Sequence, residues 1–148
     1  MRRPLSTEER LLWTADPLPP MNYCLLVRIA GQISAGAVRQ AAQLLRGQFP
    51  SAFMRIHIDE QDRGWLDSHG VPEVTVREAS AGTDWRRVLE EELGAPFDLF
   101  RDPPFRLTLV PGSGFSDLIL TVHHMRADGL SEDVSPGGRA QESDGEQR

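Results

Sequence analysis

Hydrophobic and polar positions follow two alternating periods over the first 130 residues. Residues 22–30 (NYCLLVRIA) form an apolar, β-rich run closed by Gly31, which predicts a buried strand. Ser34 suits the N-cap of a helix carrying Ala37, Val38, Ala41, Leu44 and Leu45 on one face and ending near Gly47 and Pro50. Residues 53–58 (FMRIHI) alternate apolar and polar, which predicts a half-buried strand. A turn-rich stretch from Asp62 to Gly70 then leads to a short strand over 73–77. Thr83 or Asp84 can cap a second helix that places Trp85, Val88, Leu89 and Glu92 or Leu93 along one side and stops at Gly94 and Pro96. Residues 105–110 (FRLTLV) and 117–124 (DLILTVHH) predict two last strands, joined by the turn Pro111-Gly112-Ser113-Gly114. The order strand, helix, strand, strand, helix, strand, strand predicts an α/β class of the α+β sandwich kind, a mixed sheet with helices packed on it. Some pairing is antiparallel, because a four-residue turn is too short for a parallel crossover.

The pattern breaks near the end of the chain. Residues 131–148 (SEDVSPGGRAQESDGEQR) hold five acids and two arginines, and their only apolar side chains are Val134 and Ala140. Such a stretch buries too little surface to offset its ordering entropy, so residues 1–130 are expected to form the folded lobe and 131–148 a disordered acidic tail. The 148 residues suit a single domain. A net charge of −6 argues against an extended nucleic-acid surface or a membrane-surface helix. All 16 cations are Arg, which removes Schiff-base chemistry, a lysine nucleophile and the phosphate-binding Lys of a P-loop. One Cys allows no internal disulfide, no apolar stretch follows Met1-Arg2-Arg3 as a signal peptide, and no run is long enough to span a membrane. A cytoplasmic location is therefore expected.

The chemistry-bearing residues cluster in His123-His124-Met125-Arg126-Ala127-Asp128-Gly129. The chance expectation for HHxxxDG in a chain of this composition is roughly 7 × 10⁻⁴, so composition alone does not produce it. A strand delivers two imidazoles at its end, and because neighbouring side chains diverge only one can enter a given cavity. Neutral imidazole can take a proton from a hydroxyl, amine or thiol near neutral pH. Asp128 can accept a hydrogen bond or pair with an Arg to hold the turn, and Gly129 permits close backbone approach. A structural His pair and a metal site with two His and one Asp remain open alternatives, although the divergence of the two rings and the lack of a Cys cluster or HExxH spacing disfavour the metal.

At this motif the sequence resembles the chloramphenicol acetyltransferase-like superfamily, which includes the condensation domains of nonribosomal peptide synthetases and acyltransferases acting on polyketide or wax alcohols. The flanking segments LSTEERLLW, MNYCLLVRIAGQISAGAVRQAAQLL and APFDLFRDPPFRLTLV occur in the family order over residues 5–130. The resemblance implies an N-terminal lobe of that fold in nonribosomal peptide or polyketide biosynthesis, a branch of secondary metabolism. The activity implied is acyl transfer from a coenzyme A or carrier-protein thioester to an amine or alcohol. His124 would be the general base with His123 beside it. Asp128 would orient the loop through an Arg such as Arg28 or Arg55, and Gly129 would leave room for the carrier arm. The thioester is substrate, and no tightly bound cofactor or metal is implied. The partners implied are an acyl carrier protein or acyl-coenzyme A and a second lobe, supplied by another chain or by homo-oligomerisation; neither nucleic acid nor a membrane is expected. Two departures accompany the likeness. The family's His-Pro and following Arg are here Phe49-Pro50 and Phe53. The 148 residues also correspond to less than half of a condensation-type protein, which keeps a non-catalytic remnant or interaction module as the alternative.

Other singled-out residues read as structural. Trp13, Trp65 and Trp85 suit packing, Cys24 a small buried hydrophobe, His57 the polar side of its strand, His69 a turn, and Glu90-Glu91-Glu92 a solvated helix face.

Overall fold

The computed structural model of the protein describes residues 1–15 and 22–127. Its elements are β1 (Arg2–Pro4), α1 (Thr7–Ala15), β2 (Asn22–Ala30), α2 (Ala35–Gln48), a 3₁₀ turn (Pro50–Ala52), β3 (Arg55–Ile58), β4 (Gly64–Asp67), β5 (Val76–Glu78), α3 (Trp85–Gly94), β6 (Phe105–Pro111), β7 (Phe115–His123) and the single turn α4 (His124–Ala127). The class is the mixed α/β expected, but the strands form two sheets. A small antiparallel sheet has the order β1-β4-β3, and a larger one the order β2-β7-β6-β5, in which only β5 and β6 run parallel.

Only β3 of the small sheet was visible in the chain's periodicity, as the strand expected over 53–58 and observed over Arg55–Ile58. The sheet's central strand, β4, lies inside the stretch expected to be turn-rich. That strand exists because it pairs on both sides, with Arg2–Pro4 and with β3. Helix α1 starts with a reciprocal cap: the Ser6 hydroxyl accepts from the Glu9 amide, and the Glu9 carboxylate accepts from the Ser6 amide. Arg3 then grips that carboxylate with two hydrogen bonds, tying β1 to α1. Asp59 shapes the β3–β4 loop by accepting from the amides of Gln61 and Arg63 and from the Trp65 indole. Met54, Ile56, Leu66, Leu99 and Met125 form the core beneath this sheet, with Leu12 and Trp13 of α1 packed against it.

In the larger sheet the strand β2 occupies the expected span, yet it is not buried on both sides. It lies at the sheet edge with Tyr23 49%, Leu25 59% and Val27 46% exposed. Its other side chains, Cys24 and Leu26, pack with Val110, Ile119 and α3 residues Trp85, Val88 and Leu89. Helix α2 is capped by Ser34 as expected, but its buried residues are Val38 and Ala42, while Leu44 and Leu45 lie exposed. The helix rests on Phe53, Val74, Phe105 and Leu107, and so covers the β5–β6 half of the sheet, while Tyr23, Leu25 and Val27 of β2 stay exposed. Asp84, rather than Thr83, caps α3. The second short strand runs 76–78, and β7 stops at His123, one residue before the expected end. The expected tail over 131–148 lies outside the described residues.

Candidate active site

β7 ends at His123 and α4 begins at His124, so the two histidines sit on either side of the junction between strand and helix. His123, the last strand residue, is fully buried. Its amide donates to the Pro104 carbonyl at 2.9 Å, its Nδ1 accepts from the Met125 amide at 3.1 Å, and the Phe97 ring meets it edge-on at 5.9 Å. His124 opens the helical turn and is half-buried on the opposite side, next to Tyr23. Met125, 2% exposed, inserts between α1 and the small sheet, so the backbone of the turn is anchored from below while His124 faces outward. Asp128 and Gly129, the remaining residues of the motif, lie outside the described residues.

Tyr23 is the side chain that sequence reasoning missed. Its hydroxyl lies 2.7 Å from His124 Nε2, and the two rings pack at 4.7 Å with a 33° tilt. The alternation of Tyr23, Leu25 and Val27 along β2, with Val122, Leu120 and Leu118 opposite them on β7, places the phenol on the uncovered face. His124 Nδ1 is buried and meets no hydrogen-bonding partner among the described residues, so Nε2 is the nitrogen through which the ring engages other groups.

The covered side of the same strands holds a buried ionic cluster. Glu92 of α3 is 5% exposed, which corrects its placement with Glu90 and Glu91 on a solvated face and agrees with the helical spacing that sets Glu92 or Leu93 on the side of Val88. Arg106 pairs with it, and the hydroxyls of Thr108 and Thr121 donate to its carboxylate at 2.9 and 3.3 Å. Burial works to raise the Glu92 pKa, but the hydrogen bonds from Arg106 and Thr108 and the charges of Arg106 and Arg77 prevail and hold it below its ordinary value. Arg106 also donates to the carbonyls of Glu92, Ala95 and Pro96, and Asn22 to those of Glu92 and Ala95, so the C-terminal end of α3 is stitched to β6 and β2. The Arg106 guanidinium stacks on Phe97 at 4.2 Å, and Phe97 in turn supports His123.

The other candidates fall into place around this frame. Arg28, offered as a partner for Asp128, forms a two-point pair with Asp117 at 2.8 and 2.9 Å. Arg55 donates to the carbonyls of His69 and Phe100. Cys24 is half-buried rather than fully buried, and burial pushes its thiol pKa up, with Glu92 adding to the effect. His57 is exposed, His69 sits in a turn beside Asp67, and the three Trp side chains pack at the core or on the small sheet's surface. Among the described residues no cluster of three or more His, Cys, Asp or Glu is arranged to hold a metal, and no helix is long and apolar enough to cross a membrane.

Solved structures superpose on this arrangement. The starter condensation domain of rhizomide synthetase RzmA matches with a TM-score of 0.68 at 18% identity over 90% of this chain and 35% of that one. The first condensation domain of the CDA synthetase matches at 0.67 and 19% identity, over 84% of this chain and 36% of that one. The fold is that of a condensation domain. In sequence the chain is 35% identical over 139 residues to the AMB antimetabolite synthetase AmbB of Pseudomonas aeruginosa. It is 32% identical over 142 residues to a dimodular nonribosomal peptide synthase of Bacillus subtilis. Each alignment covers 86% of this chain, which spans 11% and 6% of those two proteins. No family model matches the chain. The match to condensation domains bears out the resemblance read from the motif and its flanks, and about a third of a condensation-domain chain is represented here.

Proposed function

We propose that this chain is the N-terminal lobe of a condensation-type acyltransferase that forms an amide bond between thioester-bound substrates, with His124 as general base. The acceptor amine attacks the thioester carbonyl, the C–N bond forms as the C–S bond breaks, and His124 takes the amine proton and returns it to the leaving thiolate. The observation that carries this reading is the placement of His124 in a condensation-domain fold, on an anchored turn with Nε2 reaching the open face of β2. His123 is a structural support in this reading, held from three sides. Carrier-protein thioesters are the proposed donors, in nonribosomal peptide biosynthesis.

A base works only where donor and acceptor are held together and water is excluded. The bare face of Tyr23, Leu25 and Val27 supplies one wall of such a site, so a second lobe or a second chain completes it. The same open face favours the second reading, a non-catalytic interaction module. The two are separated by measuring transfer from a small acyl thioester to a primary amine, with and without a second condensation lobe. The expected outcome is turnover that requires the second lobe and falls roughly 10²–10⁴-fold in His124→Ala, with an intact fold and a smaller effect of His123→Ala on the chemical step. Equal, small effects of the two substitutions sink the general-base role.

A further inference from the structure

We infer that Tyr23 is a catalytic residue of this site, a phenol relay through which His124 exchanges protons with the substrate. This rests on the general-base reading of His124.

Three observations carry it. The Tyr23 hydroxyl is at hydrogen-bond distance, 2.7 Å, from Nε2 itself, the nitrogen through which the imidazole engages other groups. Tyr23 is 49% exposed on the open face while His124 is half-buried, so the tyrosine is the more accessible residue of the pair. The phenol is also firmly placed: its backbone is laddered to Val122, and its ring packs on the imidazole at 4.7 Å. A tyrosine that served only to fill the edge of the sheet would not need its hydroxyl directed at the imidazole nitrogen.

In the tautomer that leaves Nε2 its lone pair, that nitrogen accepts one good hydrogen bond, and the phenol is placed to donate it. A nucleophile approaching the open face therefore meets the phenol oxygen first. In the relay the acceptor amine gives its proton to Tyr23 Oη while the Tyr23 proton passes to His124 Nε2. The C–N bond forms, the tyrosine is restored as neutral phenol, and the imidazole becomes imidazolium. On thioester collapse the chain runs backwards: Nε2–H returns a proton to Oη, and the phenol proton goes to the departing thiolate. The net change is one proton moved from amine to thiol, with no oxidant or further reactant.

The test has two arms. Tyr23 is the only tyrosine in the chain, so replacing tyrosine with 3-fluorotyrosine during expression places a single fluorine label at this position. Its ¹⁹F resonance is expected to move on His124→Gln, which removes the ring beside the hydroxyl, and to stay in place on His57→Gln. In single-turnover transfer with the second lobe present, Tyr23→Phe is expected to lower the chemical rate by about 10²-fold while leaving KM for the thioester unchanged. The His124→Ala, Tyr23→Phe double variant is expected to be no slower than His124→Ala within about threefold, because both act on one proton path. Proton inventories in mixed light and heavy water should curve for the parent, with two protons in flight, and become linear for Tyr23→Phe. Unchanged or faster transfer by Tyr23→Phe, or a fluorine resonance indifferent to His124, overturns the relay alone. Full transfer by His124→Ala overturns the base and the relay with it.

Discussion

The two faces of β2 obey opposite rules although their residues alternate one by one. Cys24 and Leu26 point into a sealed layer beneath α3, where the ionic cluster of Glu92 and Arg106 is enclosed by hydroxyls and aromatic carbon. Tyr23, Leu25 and Val27 point away from it and stay exposed, with Tyr23 packed on His124 at the start of α4. The comparison separates two tasks. The sealed face fixes where the backbone lies, down to the strand end that presents the histidines. The open face offers the reactive groups and an apolar wall to whatever docks there. A buried ion pair is a poor source of net stability, since the hydration lost by both charges offsets much of their attraction. Its value here is positional: one guanidinium holds the end of α3, the strand β6 and the Phe97 ring that backs His123.

The sharpest way to break this division is to remove one charge from the sealed side. Arg106→Ala leaves the buried Glu92 carboxylate with only the longer 3.6 Å contact to the half-exposed Arg77 and uncaps the end of α3, and is expected to cost about 3–5 kcal/mol, read by urea unfolding. Replacing both residues by Leu should recover most of that loss, because no charge then remains buried.

Acid probes the same pair more gently. Glu92 titrates below its ordinary value near 4.5 in the folded chain, so the unfolded chain binds more protons over that range. Its contribution to stability is complete above that pH and drains away as the pH falls through the folded value. Asp59 and Asp67 are also depressed. The difference in acid sensitivity between the parent and Glu92→Gln, rather than the raw slope, therefore isolates Glu92. The variant should show the flatter decline in denaturant midpoint across that range.

The smallest effect belongs to the open face. Leu25→Thr keeps a strand-favouring residue and uncovers no cavity, and should change folding stability by less than about 0.5 kcal/mol. The same substitution should weaken association with a second lobe, measured by light scattering or titration calorimetry. A large folding defect would mean that the face is not open.

How much of this was legible in the chain follows from which contacts are local. Ser34 and Asp84 announce their helices because a cap is satisfied within three residues. The β6–β7 hairpin is written in its turn, and β2 in its apolar run. Helix α1 was legible too, since Ser6 and Glu9 stand at capping-box spacing before Leu11, Leu12 and Trp13, although the periodic reading began beyond it. β4 has no such local signature: four residues, GWLD, become a strand only because neighbours distant in sequence pair with them. Periodicity also proposed the wrong arc of α2 as buried, since a helix's own pattern names its apolar side but not the surface on which it rests. At the site, the motif marked both histidines, whereas the Tyr23 contact spans 101 residues and left no trace in spacing.

The position of β2 at the margin of its sheet has a consequence for behaviour in concentrated solution. Among the described residues only β7 pairs with it, so the outward N–H and C=O groups of this strand meet no second strand there. Proline is absent from this strand, and Arg28 is its one ionised side chain. An extended segment of another molecule could zip along such a margin as an additional strand, and natural sheets discourage this with charge. Arg28, 53% exposed and pinned to Asp117, is placed to act as that gatekeeper, so the residue that locks the far end of β2 also guards the strand against unplanned company.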